Sequence, residues 1–150
     1  MGVLKCVALL VMMIASTSQL AQAQGLLSLI SVSGLVSCSV TGNIVPNAPT
    51  PTPPFPNALV EVSCGGNVIS SAITNGSGRF NIVLNPVNIL LNSLLSSDCN
   101  VRVVTPLSNC NATLPTSGVL QAPLRLIGTT IRGIFNIFNL VPSLFQLTGI

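Results

Sequence analysis

Cys38 and Cys64 each sit in a run that alternates apolar and polar residues, the pattern of a strand with one buried face. In Ser31 to Val40, Val32, Gly34, Val36, Cys38 and Val40 alternate with Ser31, Ser33, Ser37 and Ser39. In Ala58 to Cys64, Ala58, Val60, Val62 and Cys64 alternate with Glu61 and Ser63. Two cysteines pointing toward the core of a β structure restrict the fold strongly, because disulfides persist in oxidising compartments and staple small β domains.

The compartment follows from the start of the chain. Lys5 supplies a positive end, Cys6 to Ala15 is apolar throughout, and Ala21-Gln22-Ala23 places small residues where a signal peptidase reads. Residues 1–23 are therefore expected to be a cleavable secretory signal, with Gln24 as the new terminus. The apolar run falls short of the ~18 residues that a membrane anchor needs. Lys5 and Cys6 leave with the signal. Of five basic residues, two acidic residues and five cysteines, the exported chain keeps four arginines, two acids and four cysteines, for a net charge of 4 − 2 = +2. Residues 24–150 form one domain by size, and an even cysteine count reads as two bridges, with three pairings open. A zinc site is disfavoured, since there is no Cys-x-x-Cys pair and no His.

The remaining pattern is mostly strand. Pro46 to Pro56 holds six prolines, which remove backbone donors and fix φ, so an extended surface loop is expected there. Val68 to Thr74 and Arg79 to Leu84 flank Asn75-Gly76-Ser77-Gly78. Asn-Gly between two such runs predicts a hairpin with positive φ at both residues. Ile89, Leu90, Leu91, Leu94 and Leu95 recur at helical spacing, so a short helix is expected between Pro86 and Ser97. Cys99 to Val103 and Val119 to Ile127 read as strands. In the tail, 128–150, apolar residues lie nearly all round any helix and Pro142 would break one, so added strands with some exposed apolar surface are expected. The fold class is all-β: an antiparallel sandwich or partly closed barrel, stapled by two disulfides and carrying a short helical insert.

The chemistry is defined by what is missing. His, Tyr and Trp are absent, the one Lys lies in the signal, and Glu61 and Asp98 are the only carboxylates. A Ser-His-Asp relay, a Schiff base and a His-ligated zinc all lack their residues. A two-carboxylate hydrolase would need Glu61 beside Asp98, yet both read as solvated surface positions. No phosphate loop or dinucleotide fingerprint is present, so no cofactor is expected and no enzymatic activity is assigned. Arg79, Arg102 and Arg125 fall beside or between apolar strand positions and are expected to share a weakly cationic outer surface. Without interleaved aromatics this does not make a nucleic-acid site. It suits acidic polysaccharide or an anionic microbial membrane. Asn75-Gly76-Ser77 and Asn111-Ala112-Thr113 are acceptors for N-glycosylation.

Three segments together carry a resemblance: SGLVSCSVTGN, FPNALVEVSCGGNVISSAITNGSGRFNI and CNVRVVTPLSNCNATL. In cysteine placement, the Pro-Asn before the second strand and the TNGSG turn, residues from about Ser33 to Leu126 resemble the phylloplanin family of secreted plant leaf-surface proteins. That family sits within the broader pollen Ole e 1-like and extensin-like group. The resemblance implies a plant extracellular β domain, located on the leaf surface or in the cell wall, with bridges Cys38–Cys110 and Cys64–Cys99. It also implies a defence role, inhibiting fungal or oomycete spore germination through contact with microbial surface, cuticle or wall. The alternative is a structural or adhesive wall protein that binds acidic polysaccharide. No pattern in the sequence specifies an oligomeric state.

Overall fold

The computed structural model describes residues 27–85 and 88–149, and the expected signal, 1–23, lies outside them. Among the described residues eight strands form one sheet: β1 (Leu27–Leu35), β2 (Leu59–Cys64), β3 (Asn67–Ile73), β4 (Arg79–Leu84), β5 (Cys99–Val103), β6 (Val119–Arg132), β7 (Phe135–Pro142) and β8 (Gln146–Thr148). Their order is β3-β2-β5-β6-β7-β1-β4, with β8 also against β6. The sheet curls into a nearly closed barrel around one apolar core. Its ends, β3 and β4, approach each other without forming a ladder, which leaves a seam. A short helix, α1 (Asn88–Leu94), sits between β4 and β5 and drives Leu94 into the core.

Alternation explains the walls. Val60 and Val62 on β2 stand opposite Val103 and Val101 on β5, and all four are buried. Phe80, Ile82 and Leu84 on β4 stand beside Gly34, Val32 and Ile30 on β1, and the five apolar side chains line one stretch of the interior wall. Opposite Val62 and Ser63 strand β3 carries one extra residue, Ile69, while the β2–β5 ladder runs on unshifted; at the end of β2 Ser63 is buried and Cys64 is half-buried. Past Leu35 the chain leaves the ladder and turns. Ser37 and Ser39 are therefore buried together with Val36 and Cys38, while Val40 is exposed, a departure from strict alternation. The expected all-antiparallel arrangement also fails at one place, since β1 pairs with β7 in parallel.

Two turns differ from the sequence reading. Asn75–Gly78 forms a tight β-turn, with Gly78 N donating to Asn75 O at 2.9 Å. The positive φ belongs to Gly78 (76°), not to Asn75 or Gly76, and Asn75 Oδ1 accepts from Ser77 N and Arg79 N. A turn followed by a left-handed glycine is the three-residue connection, not the two-residue one. After it, β3 and β4 diverge to pair with β2 and β1, so the expected hairpin is a corner between the sheet's two ends. The two-residue hairpin lies instead at Gly133-Ile134, between Arg132 and Phe135, with φ of 58° at Gly133.

The proline-rich loop is more than a surface connection. Phe55 is 1% exposed and plugs the core. Its N–H donates to Val36 O, Cys38 N donates to Pro53 O, and Ser37 bridges Pro54. Prolines at 53, 54 and 56 lack donors, so the loop pairs through its carbonyls and the one N–H of Phe55. The buried Thr74 hydroxyl holds this plug, donating to Phe55 O at 2.6 Å while accepting from Ala58 N at 2.8 Å.

The cysteines join as Cys38–Cys110 and Cys64–Cys99, the pairing that the resemblance implied. Cys64 and Cys99 stand directly opposite each other in the β2–β5 ladder. Cys38–Cys110 ties the turn after β1 to the end of the short 3-10 helix Leu107–Asn109, across 72 residues of sequence.

Candidate functional site

Strand β6 changes surroundings along its length. From Leu120 to Pro123 it lies beside β5, and Val119–Gln121 pairs with β8 on the opposite side. Ser143 N donates to Pro123 O, so β7 runs on into β8 along that second side. Beyond Pro123 the side vacated by β5 has no strand on it, and all eight residues from Arg125 to Arg132 are exposed. The β6–β7 hairpin thus projects from the barrel as an arm. Ile127 (59%), Ile131 (66%) and Ile134 (56%) are exposed on it, with Leu27 of β1 alongside. No acidic residue occurs in the arm, whose two charges are Arg125 and Arg132.

The registers of β4, β1, β7 and β6 define the outer face of this half of the sheet. Arg79 stands opposite Leu35; Asn81 opposite Ser33; Val83 opposite Ser31. Ser31 lies beside Asn139 on β7, and Leu27 beside Phe135. Val141 is opposite Arg125, and Phe135 opposite Arg132. Arg79, Arg125 and Arg132 therefore share one face, bordering a polar strip in which Ser31 Oγ donates to Asn81 Oδ1 at 2.9 Å and Asn139 Nδ2 donates to Thr130 Oγ1 at 2.8 Å.

Arg102, the third residue expected in the cationic surface, lies across β6 from this half of the sheet. It is on β5, opposite Glu61 on one side and Gln121 on the other, and its buried Nε has no hydrogen-bond partner. Arg132 takes its place. Arg125 and Arg132 are seven apart, an odd spacing that puts residues of a regular strand on opposite faces. The bulge between Leu126 and Gly128 restores them to the same face.

Three depressions lie along this face. One of about 650 Å³ opens at the seam beside Arg79, Ser33, Asn75 and Asn81. A second, about 410 Å³, lies beside Arg125, Asn43 and Ser143 and shares Gly34, Leu35 and Val141 with the first. The third, about 270 Å³, lies beside Arg132, Thr130 and Asn139 and shares Ser31 and Asn81 with the first. Each holds one arginine and none holds a carboxylate.

The carboxylates do not meet. Glu61 is level with Arg102 in the β2–β5 ladder, whereas Asp98 precedes Cys99 at its far end, about 13 Å away by strand rise. Both glycosylation acceptors are exposed. Asn111 Oδ1 accepts from Thr113 N at 3.0 Å and Thr113 Oγ1 at 2.8 Å, an Asx turn that brings the two acceptor-motif side chains together. Asn75 sits in the tight turn at the seam. Among the described residues, no group of three or more metal-ligating side chains occurs and no helix is long and apolar enough to cross a membrane.

A family model described as phylloplanin antifungal protein matches residues 26–149. The chain is 50% identical over 102 residues to the phylloplanin of Nicotiana tabacum, a stretch covering 67% of this chain and 63% of the length of that relative. No solved structure matches. With a family match running from before β1 to beyond β8, on a two-disulfide β barrel, the chain belongs to the phylloplanin family.

Proposed function

We propose that this is an exported plant defence protein of aerial surfaces, restricting germination or growth of fungi and oomycetes by physical association with their surface or membrane. The arm carries this reading. Exposed isoleucines with arginine as the only charge suit adsorption to an apolar, anionic boundary. The antifungal description of the family supports the target, and the leader-like residues 1–23 support export. The separation of Glu61 from Asp98 supports a mechanism without carboxylate catalysis. The cysteine and turn pattern supports placing the family within the wider pollen Ole e 1-like and extensin-like group.

A spore-germination assay with purified protein tests the reading. The Ile131→Ser/Ile134→Ser variant should lose inhibition, while Glu61→Gln/Asp98→Asn should keep it. Loss confined to the amide variant would point to carboxylate chemistry and overturn the proposal. Export also predicts glycosylation. Asn111 is the better-presented acceptor, so N-glycosidase treatment of protein secreted from plant cells should lower its mass, and Asn111→Gln should abolish most of that change.

A further inference from the structure

We propose that the outer face of β4, β1, β7 and β6 binds a linear acidic polysaccharide, a chain of uronate sugars laid across the three linked depressions. This is distinct from adsorption through the arm's isoleucines, and either can fail without the other.

The spacing of the arginines points to a polymer. Arg79 and Arg125 lie on strands three steps apart, about 14 Å, and Arg125 and Arg132 are separated by six residues of β7 register, about 20 Å. At these backbone separations the three guanidinium groups cannot all converge on one small anion, whereas an extended polyanion reaches all three. Carboxylates are absent from all three depressions, and no described acidic side chain lies within salt-bridge distance of these guanidinium groups, so each is available to an incoming carboxylate. Between them lie hydroxyl and amide groups of Ser31, Ser33, Asn81, Thr130 and Asn139, which match the hydroxyls of sugars. The shape separates this ligand from a bilayer. A membrane-contacting surface presents an apolar centre with basic residues around it. Here the centre is indented and mixes Ser31, Asn81, Thr130 and Asn139 with Leu29, Val83 and Ile137, and the exposed isoleucines of the arm lie outside it.

The test is binding of the intact protein to immobilised polygalacturonate and to the same polymer fully methyl-esterified. The unmodified protein should bind the acidic form, weaken as salt is raised, and bind the ester poorly. Arg79→Gln/Arg125→Gln/Arg132→Gln should lower affinity about tenfold, as three exposed charge contacts imply. Arg102→Gln, at a position level with Glu61 that lines none of the three depressions, should leave it within about twofold. The triple Arg→Lys variant should retain most of the binding, which separates charge from folding. Equal binding to the ester, equal loss in Arg102→Gln, or no binding by the unmodified protein would overturn the proposal. Arginine-dependent binding to phosphatidylserine vesicles without binding to polygalacturonate would assign the face to lipid instead.

Discussion

The barrel body and the β6–β7 arm are built from the same kinds of residue, yet one hides them and the other displays them. Val60, Val62, Val101 and Val103 are completely or almost completely buried because β2 and β5 each have a neighbour on both sides and the opposite wall across the core. Leu126, Ile127 and Ile131 are as apolar and as strand-forming, but beyond Pro123 β6 keeps only β7. Hydrophobicity fixes the secondary structure of both regions. The number of strands and layers around them decides burial. Leaving an isoleucine in water forgoes roughly 2 kcal/mol of burial energy. The arm therefore contributes little to stability for its apolar content, and its apolar side chains are left for contact with an outside surface.

Substitutions in the body should therefore cost far more stability than substitutions in the arm. The largest effect should come from Phe55, since Phe55→Ala removes the plug that the proline-rich loop places in the body, at about 3–5 kcal/mol by denaturant titration. A loss under about 1 kcal/mol would mean that the loop is as peripheral as its composition suggests. Opening one staple with Cys38→Ser/Cys110→Ser should cost up to about 4 kcal/mol on the chain-entropy estimate, leaving Cys64–Cys99 intact in a thiol assay. Gly78 comes next. It has positive φ, and a side chain there would collide with Val36 O, so Gly78→Val should destabilise by about 2 kcal/mol or more. Gly76 has open space and no positive φ, so Gly76→Val should stay within about 0.5 kcal/mol. The smallest stability change should be in the arm. Ile131→Ser and Ile134→Ser should shift unfolding by less than about 0.5 kcal/mol while reducing adsorption to apolar surfaces. A cooperative loss of stability in those two variants would show that the arm belongs to the body.

Much of the body was legible because period-2 alternation survives wherever one face is buried, as in Ala58 to Val62 and Phe80 to Leu84. It was lost where the chain departs from that geometry. Ser37 and Ser39 are buried because a turn and the proline-rich segment enclose them. Phe55 gave no signal, since a lone aromatic among prolines has no periodicity to join. In the arm, apolar residues fall on both faces, which erases alternation and hides a hairpin whose turn is marked only by Gly133. The cationic face was legible in its residue type but not in its membership. One bulge decides that Arg132 belongs, and cross-strand register decides that Arg102 does not.

The parallel pairing of β1 with β7 has a consequence for biogenesis. β1 is among the first parts of the domain to leave a ribosome, and the strand that covers one of its edges is among the last. Through most of synthesis β1 can hold only β4, and Cys64–Cys99, enclosed within β2 to β5, can form while the barrel is still open. Completion must await release of the C-terminal segment, so chains stalled before Phe135 should leave β1 open to protease even with β4 in place. Protection of β1 in such stalled chains would show that β4 alone suffices to hold it.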